Sequence, residues 1–192
     1  MVNSDNLIFK NVTIDSQVGK NNDGFDLDGC KNVLIEDCNI KTGDDAICPK
    51  STTDRITENI TIRNCRLESH TSAFKCGTSS RGGFRNITME HCDVSNTKMG
   101  VIKLMIVDGG LLENIRISNI VANNVEGPIF IRLGNRGRTY EKPTEQVYGS
   151  NMLSVRCQNM RQGIQKHCFL EFCPLGELIF VIQKTLLLKM LF

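Results

Sequence analysis

Five short segments of the chain share one pattern, in which an asparagine is followed by alternating apolar and polar residues. The five asparagines are spaced by 26, 27, 27 and 28 residues. Alternation with a period of two predicts short strands with one buried face. The segments are NLIFKNV from Asn6, NVLIEDC from Asn32, NITIRNC from Asn59, NITMEHC from Asn86 and NIRISNI from Asn114.

A second column recurs about 14 residues further on in each repeat. Its members begin at Asp45, Ser72, Met99 and Gly127, and Asp23 joins them after a shorter step of 22 residues. Each repeat therefore contains at least two strands. Repeats of roughly 22–28 residues with β-branched strands predict an all-β fold, a right-handed parallel β-helix. Equivalent residues of neighbouring coils then stack at about 4.8 Å, and the asparagines can hydrogen-bond in ladders.

Other solenoids fit the repeat less well. Leucine-rich repeats need a Leu-x-x-Leu-x-Leu framework, which the segments lack, and an α-solenoid needs a period of 3.6. The pattern predicts a β-helical catalytic region at 1–150 and an irregular tail at 151–192. We interpret the tail either as a cap that covers the last coil or as a non-native extension.

Composition narrows the possible functions. A chain of 192 residues fits one domain, and a net charge of +2 is too small for a general nucleic-acid binder. The opening MVNSDNLIFK is not a signal peptide, and the apolar stretch 178–192 is too short and too charged to span a membrane. We therefore expect no nucleic-acid or membrane partner, and the motifs indicate no metal and no cofactor.

Three of the nine cysteines share a column of the repeat. The sixth residue after each repeat asparagine is Val12, Cys38, Cys65, Cys92 or Ile120. Because this column is otherwise filled by valine and isoleucine, we interpret its cysteines as small buried apolar residues. A role in disulfides or metal binding is the weaker interpretation.

Aspartates cluster where two neighbouring coils should meet. Asp23 and Asp45 occupy the same column, and Asp44 is next to Asp45. Stacked like charges cost free energy and share protons, so structure alone is a poor reason for them. An acid and a base of this kind serve glycosidic-bond hydrolysis. A solvated acidic turn or a calcium site is the alternative, and Asp26 is interpreted as a turn or surface residue.

These motifs resemble the polygalacturonase family, glycoside hydrolase family 28. Asn21-Asn22-Asp23 is similar to the family's Asn-x-Asp motif, and Gly43-Asp44-Asp45 to its Gly-Asp-Asp motif. The resemblance implies a right-handed parallel β-helix that hydrolyses pectic polysaccharides with inversion. It also implies that Asp44 is the general acid and that Asp23 and Asp45 activate water.

Two departures from the family affect the expected substrate site. The family has Gly-His-Gly one turn later, where this chain has Ser69-His70-Thr71, and column counting puts Thr71 level with Asp44. One residue of offset turns a side chain to the other face of a strand. His70 is therefore either a substrate-binding residue or an ordinary surface residue. The family's Arg-Ile-Lys becomes Val101-Ile102-Lys103. The cations predicted to bind a substrate carboxylate are Lys103, Lys75 and Arg132, together with His70.

Three functions follow as hypotheses. The first is hydrolysis of α-linked galacturonosyl bonds in acidic plant cell-wall polysaccharide, by a protein that the resemblance places outside the cell or in the periplasm. The expected distance of about 4.8 Å between Asp23 and Asp45 is close to the carboxylate spacing of retaining enzymes. The family resemblance, however, implies that both residues are bases and that the reaction proceeds with inversion. The second is a calcium-dependent pectate lyase-like reaction. The third is an inactive or carbohydrate-binding β-helix fragment.

Overall fold

The computed structural model describes residues 1–134 and 136, together with the strand backbones at 153–158, 161–164, 169–171 and 178–183. All regular elements in this part of the chain are β-strands, and their pairings are parallel. No helix within these residues is long and apolar enough to cross a membrane. The fold is thus the predicted parallel β-helix.

The larger of two sheets has 11 strands. One row of it follows the order β1-β4-β7-β10-β12-β14-β17, and a second row pairs β2 with β5, β5 with β8, and β8 with β10. The strands are β1 (Asp5–Lys10), β2 (Thr13–Ser16), β4 (Lys31–Glu36), β5 (Asn39–Thr42), β7 (Thr57–Arg63), β8 (Arg66–Ser69), β10 (Phe84–Ser95), β12 (Leu112–Val125), β14 (Leu153–Gln158), β15 (Arg161–Ile164) and β17 (Leu178–Gln183).

The smaller sheet has six strands in the order β16-β13-β11-β9-β6-β3. In each coil its strand follows those of the larger sheet. The candidate site lies on its outer face. Its strands are β3 (Phe25–Asp28), β6 (Ile47–Lys50), β9 (Ser72–Cys76), β11 (Gly100–Ile106), β13 (Ile129–Leu133) and β16 (Phe169–Glu171).

Residues in the left-handed backbone conformation form one corner of each coil between residues 1 and 134. They stand between the two rows of the larger sheet, where φ lies between 52° and 55°. Asparagine tolerates this conformation better than other residues with a side chain, so it recurs at the position. The five corner residues are Asn11, Asp37, Asn64, His91 and Asn119. The first three coils have three strands each, whereas β10 and β12 run through the corner as single strands, so the next two coils have two. The sequence predicted at least two strands in each repeat.

The predicted register of the first row is confirmed. Leu7 pairs with Val33, and the column continues through Ile60, Ile87 and Ile115 at the spacings expected from the repeat. The predicted amide ladder is also present, since the side chains of neighbouring repeat asparagines hydrogen-bond at 2.7–3.0 Å. This ladder joins Asn6, Asn32, Asn59, Asn86 and Asn114.

The second predicted column is wrong by one residue at its third step. Gly100, and not Met99, pairs with Ser72, so Ile102 lies level with Phe74. The extra residue of this coil falls in the turn at 96–99, before β11 begins. The next step is displaced in the same way, since Ile129 pairs with Ile102 and not with Val101. The two earlier steps follow the prediction, with Phe25 level with Ile47 and Ile47 level with Phe74.

Strand backbones within 151–192 extend both sheets. The strand β14 pairs with β12, and β16 pairs with β13. The remainder of this segment lies outside the described residues. The predicted boundary at residue 150 therefore stays a prediction.

The space between the sheets is filled by apolar side chains. Phe74 and Phe84 are the bulkiest of these fully buried residues, and aliphatic side chains stack along the axis between them. The cysteines at positions 38, 65 and 92 lie in this core as free thiols at most 2% exposed. Their prediction as small buried residues is confirmed.

Alternating charges stack along the outer face of the larger sheet. Glu58 pairs with Lys31 of the preceding coil at 2.8 Å and with Arg85 of the following coil at 2.6 Å. The hydrogen bond from Lys31, helped by the one from Arg85, holds the pKa of Glu58 below its ordinary value. The carboxylate therefore links three successive coils.

Acid should remove this stabilisation. A folded-state pKa below the unfolded one means that the stabilisation is present above about pH 4.5 and is lost as the pH falls through the folded value. We expect Glu58→Gln to lower the midpoint of thermal unfolding by roughly 2–4 °C at pH 7. The difference should disappear near pH 3. Calorimetry of both proteins checks this, with Asp15→Asn on an exposed position of β2 as control. An equal difference at both pH values would contradict it.

Candidate active site

Turns before two neighbouring strands of the smaller sheet bring the predicted aspartates together. Asp23 precedes β3, and Asp44 and Asp45 precede β6. The amide of Gly24 donates to the carbonyl oxygen of Asp45 at 3.0 Å, and the amide of Asp44 donates to that of Asn22 at 3.1 Å. The expected stacking of Asp23 on Asp45 is therefore present.

One backbone amide joins two of the carboxylates. The N–H of Asp45 lies 3.1 Å from Oδ1 of Asp23 and 2.9 Å from Oδ1 of Asp44. One carboxylate oxygen from each of the three aspartates lies within 4.8 Å of the others. A single reacting group can therefore contact more than one carboxylate.

Lysines neutralise two of the three carboxylates. Lys75 of β9 approaches Oδ2 of Asp45 at 2.6 Å, and Lys50 of β6 approaches Oδ2 of Asp23 at 2.9 Å. Lys50 also contacts Asp26 at 2.6 Å. Among the described residues, Asp44 has no ion pair. The cluster is thus two paired carboxylates beside an unpaired one.

The pKa values in this cluster reflect burial and pairing. Burial raises the pKa of Asp23, and the hydrogen bond from Lys50 opposes this rise. Burial alone would lower the pKa of Lys50, but its hydrogen bonds to Asp26 and Asp23 outweigh that and raise it. Burial likewise opposes the charge of Lys75, and attraction to Asp45 raises its pKa. Both lysines are therefore charged at neutral pH.

A metal ion would have to compete with these lysines. The carboxylates of the cluster are close enough to share a cation, and so are Asp23, Asp26 and the Cys48 thiol. However, ammonium groups already occupy Oδ2 of Asp23 and Oδ2 of Asp45. The donor set of the cluster therefore fits an acid–base site better than a calcium site.

Lys103 extends the charged row into the next coil. It pairs in register with Lys75 on one side and with Phe130 on the other, and its ammonium lies 5.8 Å from the centre of the Phe130 ring. Burial lowers the pKa of Lys103, although attraction to Asp45 partly opposes this. A half-buried ammonium beside an aromatic ring can bind an anionic sugar.

The structure separates the other two candidate cations from the carboxylates. His70 is exposed, and its neighbour Thr71 instead hydrogen-bonds Asp44 at 2.8 Å. Arg132 is exposed on β13, level with Met105 rather than with Lys103. The predicted residues that the fold brings together are therefore Asp23, Asp44, Asp45 and Lys75, with Lys103 beside them.

Sequence reasoning missed two residues of the cluster, Lys50 and Asp26. Asp26 was interpreted as a turn or surface residue, but it lies on β3 and pairs with Lys50. The register gave only a partial signal, since it places Asp26 level with Cys48 and Lys50 level with Asp28 on neighbouring strands. The role of Thr71 was also missed, although column counting had placed it level with Asp44.

The parallel β-helix places a carboxylate cluster and neighbouring lysines on one face, an arrangement suited to acid–base chemistry. The model of the family "Glycosyl hydrolases family 28" matches residues 1–164. The chain belongs to this family of glycoside hydrolases.

Curated relatives and a solved structure agree with the family. The chain is 28% identical over 192 residues to a probable polygalacturonase of Vitis vinifera, which covers 90% of the chain and 39% of that relative. It is 32% identical over 114 residues to an endo-polygalacturonase of Pectobacterium carotovorum subsp. carotovorum, which covers 58% of the chain and 28% of that relative. The polygalacturonase structure from Erwinia carotovora ssp. carotovora matches with a TM-score of 0.62 at 21% identity, over 94% of the chain and 54% of that structure. The chain spans well under two thirds of the length of these proteins.

Proposed function

We propose that this chain forms the catalytic region of a hydrolase that cleaves α-linked galacturonosyl bonds in pectic polysaccharide. Family membership and relatives described as polygalacturonases support the reaction class. The observation that carries the proposal is the unequal pairing of the three clustered carboxylates. Asp23 and Asp45 each contact a lysine, whereas Asp44 contacts none of the described cations.

Unequal pairing gives the carboxylates different tasks. An ammonium group stabilises the ionised form of its partner, so Asp23 and Asp45 suit the role of bases that activate water. Asp44 is partly exposed and has an oxygen, Oδ2, with no partner among the described residues, so it can hold a proton for the leaving group. In the hydrolysis, Asp44 protonates the glycosidic oxygen, and the base pair takes a proton from the attacking water.

The substrate would bind through its own negative charge. Lys103 lies next to Lys75 on the outer face of the smaller sheet, and Phe130 follows in the next coil. A uronate carboxylate needs a cation, and Lys103 is the lysine of this row without a carboxylate pair among the described residues. We propose that it binds an anionic sugar there. Cell-wall pectin lies outside cells, so secretion or export to the periplasm is part of the proposal.

The proposal includes inversion of configuration at the anomeric carbon, which the family resemblance implies. The closest carboxylate oxygens lie within 4.8 Å, whereas inverting enzymes usually separate their acid and base by about 6.5–9.5 Å. The attacking water would then lie beside the paired bases and not directly between acid and base. The anomeric form of the first product decides the matter, and we expect the opposite anomer to that of the substrate by nuclear magnetic resonance.

The test is reducing-end release from polygalacturonate and from a branched pectin, each with and without a chelator. We expect release that resists chelation. Chelator-sensitive activity with unsaturated products would overturn hydrolysis in favour of a lyase reaction. A folded β-rich protein that binds either polymer but releases no reducing ends would support the carbohydrate-binding alternative.

A further inference from the structure

The hydroxyl group of Thr71 contacts two carboxylates at once. Its Oγ1 lies 2.8 Å from Oδ1 of Asp44 and 2.9 Å from Oδ1 of Asp45. A hydroxyl group has one hydrogen to donate, together with lone pairs that accept. Both contacts are hydrogen bonds only when one of the two carboxyl groups is protonated and donates to Thr71.

The neighbouring serine does not relieve this constraint. Ser69 donates its own hydrogen to the carbonyl oxygen of Asp44 at 2.6 Å and accepts the amide of Thr71 at 2.9 Å. Its Oγ is 3.4 Å from Oγ1 of Thr71, which is long for a hydroxyl hydrogen bond. The hydrogen bond from the Thr71 amide to Ser69 fixes the backbone of Thr71, so its hydroxyl group stays between the two aspartates.

The surrounding charges decide which carboxyl holds the proton. Oδ2 of Asp45 accepts from the Lys75 ammonium at 2.6 Å, and the Asp45 side chain is 3% exposed. An ion pair this buried is strongly destabilised when one partner loses its charge. Asp44 has no such partner among the described residues, so it is the carboxyl that carries the proton. The other charged or titratable groups around the pair are Asp23 and Asp26 of the preceding coil, Cys48 and Lys50 of the same coil, Lys103 on the following side, and the exposed His70 beside Thr71.

We propose that Thr71 is a positioning residue that holds Asp44 and Asp45 as a pair sharing one proton. Before substrate binds, Asp44 donates from Oδ1 to Thr71, and Thr71 donates to the ionised Asp45. When a glycosidic oxygen lies at Oδ2, the carboxyl group of Asp44 carries the proton on that atom instead. This is the protonation pattern that an acid beside a base needs, so the inference rests on the proposed function. It goes further because it assigns the pattern to a side chain that touches no reacting atom.

The sign of the pH effect follows from counting hydrogen bonds. With both carboxyls ionised, Thr71 satisfies only one of them, so the bridge favours uptake of the first proton. With both protonated, the bond to Asp45 loses its charge assistance, so the bridge opposes uptake of the second proton. Thr71 therefore widens the pH range in which the pair holds one proton.

The experiment is a carboxyl carbon-13 titration of protein labelled at aspartate, recorded without substrate. Asp44→Asn and Asp45→Asn assign the two signals. In Thr71→Val we expect the upper titration step of the pair to move down by about half a pH unit or more, because the bond that protonated Asp44 donates to Thr71 is lost. The lower step should move up, because the charge-assisted bond from Thr71 to Asp45 is lost. Thr71→Ser keeps the hydroxyl and should keep the wide range.

Controls separate this effect from a structural one. Thr88→Val removes a half-buried hydroxyl from β10 on the other sheet and should leave both steps in place. If valine prevents folding, Thr71→Ala provides the same loss without the added bulk. Unchanged steps in a folded variant without the hydroxyl would overturn the proposal.

Activity provides the second readout. The basic limb of the pH–activity profile should move with the upper step in Thr71→Val, whereas a structural defect would lower activity equally at all pH values. Because the titration needs no substrate, a chain that hydrolyses nothing still tests the shared proton. Absence of hydrolysis would then count against the proposed function and not against the role of Thr71.

Discussion

Replacing Asp44 by asparagine is expected to lower hydrolysis of polygalacturonate by about 10²–10⁴-fold, the usual contribution of general acid–base catalysis. Asparagine matches the shape of aspartate but has no acidic proton for the leaving oxygen. Its side-chain oxygen can still accept the amide of Asp45, as Oδ1 does now. The loss should therefore appear in catalysis and not in folding.

A second substrate distinguishes an acid from a base. An aryl galacturonide with a good leaving group needs little protonation, so Asp44→Asn should retain far more of its activity on this compound than on the polymer. Asp45→Asn should lose activity on both, since water still needs a base. Reducing-end and chromophore assays measure the two rates. Equal losses on both substrates in Asp44→Asn would contradict its role as the acid, and Asp93→Asn on an exposed position of β10 serves as the control.

The coil and much of the site could be predicted because stacking converts sequence spacing into distance. Residues one repeat apart lie on adjacent strands, so Asp23 falls beside Asp45 once the 22-residue step is recognised. The same counting places Thr71 level with Asp44. In a solenoid each coil contacts only its neighbours, so these few spacings determine most contacts.

The roles of individual outward side chains could not be predicted in the same way. A lysine at an outer strand position, such as Lys50, is indistinguishable in sequence from any solvated lysine. Its function depends on reaching across to Asp23 and Asp26 of the preceding coil, which spacing does not reveal. His70 is the opposite case, because the family motif made it a candidate for the site. One residue of offset leaves it exposed and puts Thr71 at the carboxylates.

The geometry of the turns also could not be predicted from the repeat pattern. The repeat predicted strands but not the number of residues in each turn, so the extra residue at 96–99 shifted one column. Turns also hold Asp23, Asp44 and Asp45, and their precise path depends on close contacts between loops that are distant in sequence. Gly43 is the clearest case of such a contact.

Gly43→Ala is expected to reduce activity by about 10²-fold, because misplacement of a catalytic group by about 1 Å has an effect of that order. A Cβ on Gly43 would overlap the carbonyl oxygen of Gly19, and backbone atoms cannot accept such a contact. The turn that carries Asp44 must then move away from the loop of Gly19. Since the Asp44 backbone hydrogen-bonds Asn22 in that same loop, its carboxyl group moves relative to Asp23.

Gly134→Ala is the matched control for this substitution. A Cβ there would meet only side-chain atoms, at 3.6 Å and 3.7 Å, which are ordinary contacts. Steady-state kinetics and circular dichroism of the two variants measure the comparison. We expect both to remain β-rich, because Val18 and Lys20 of the displaced loop are exposed and their packing contributes little to the core. Full activity in Gly43→Ala would mean that the turn can adopt another path with Asp44 in place, and that the contact with Gly19 does not position the acid.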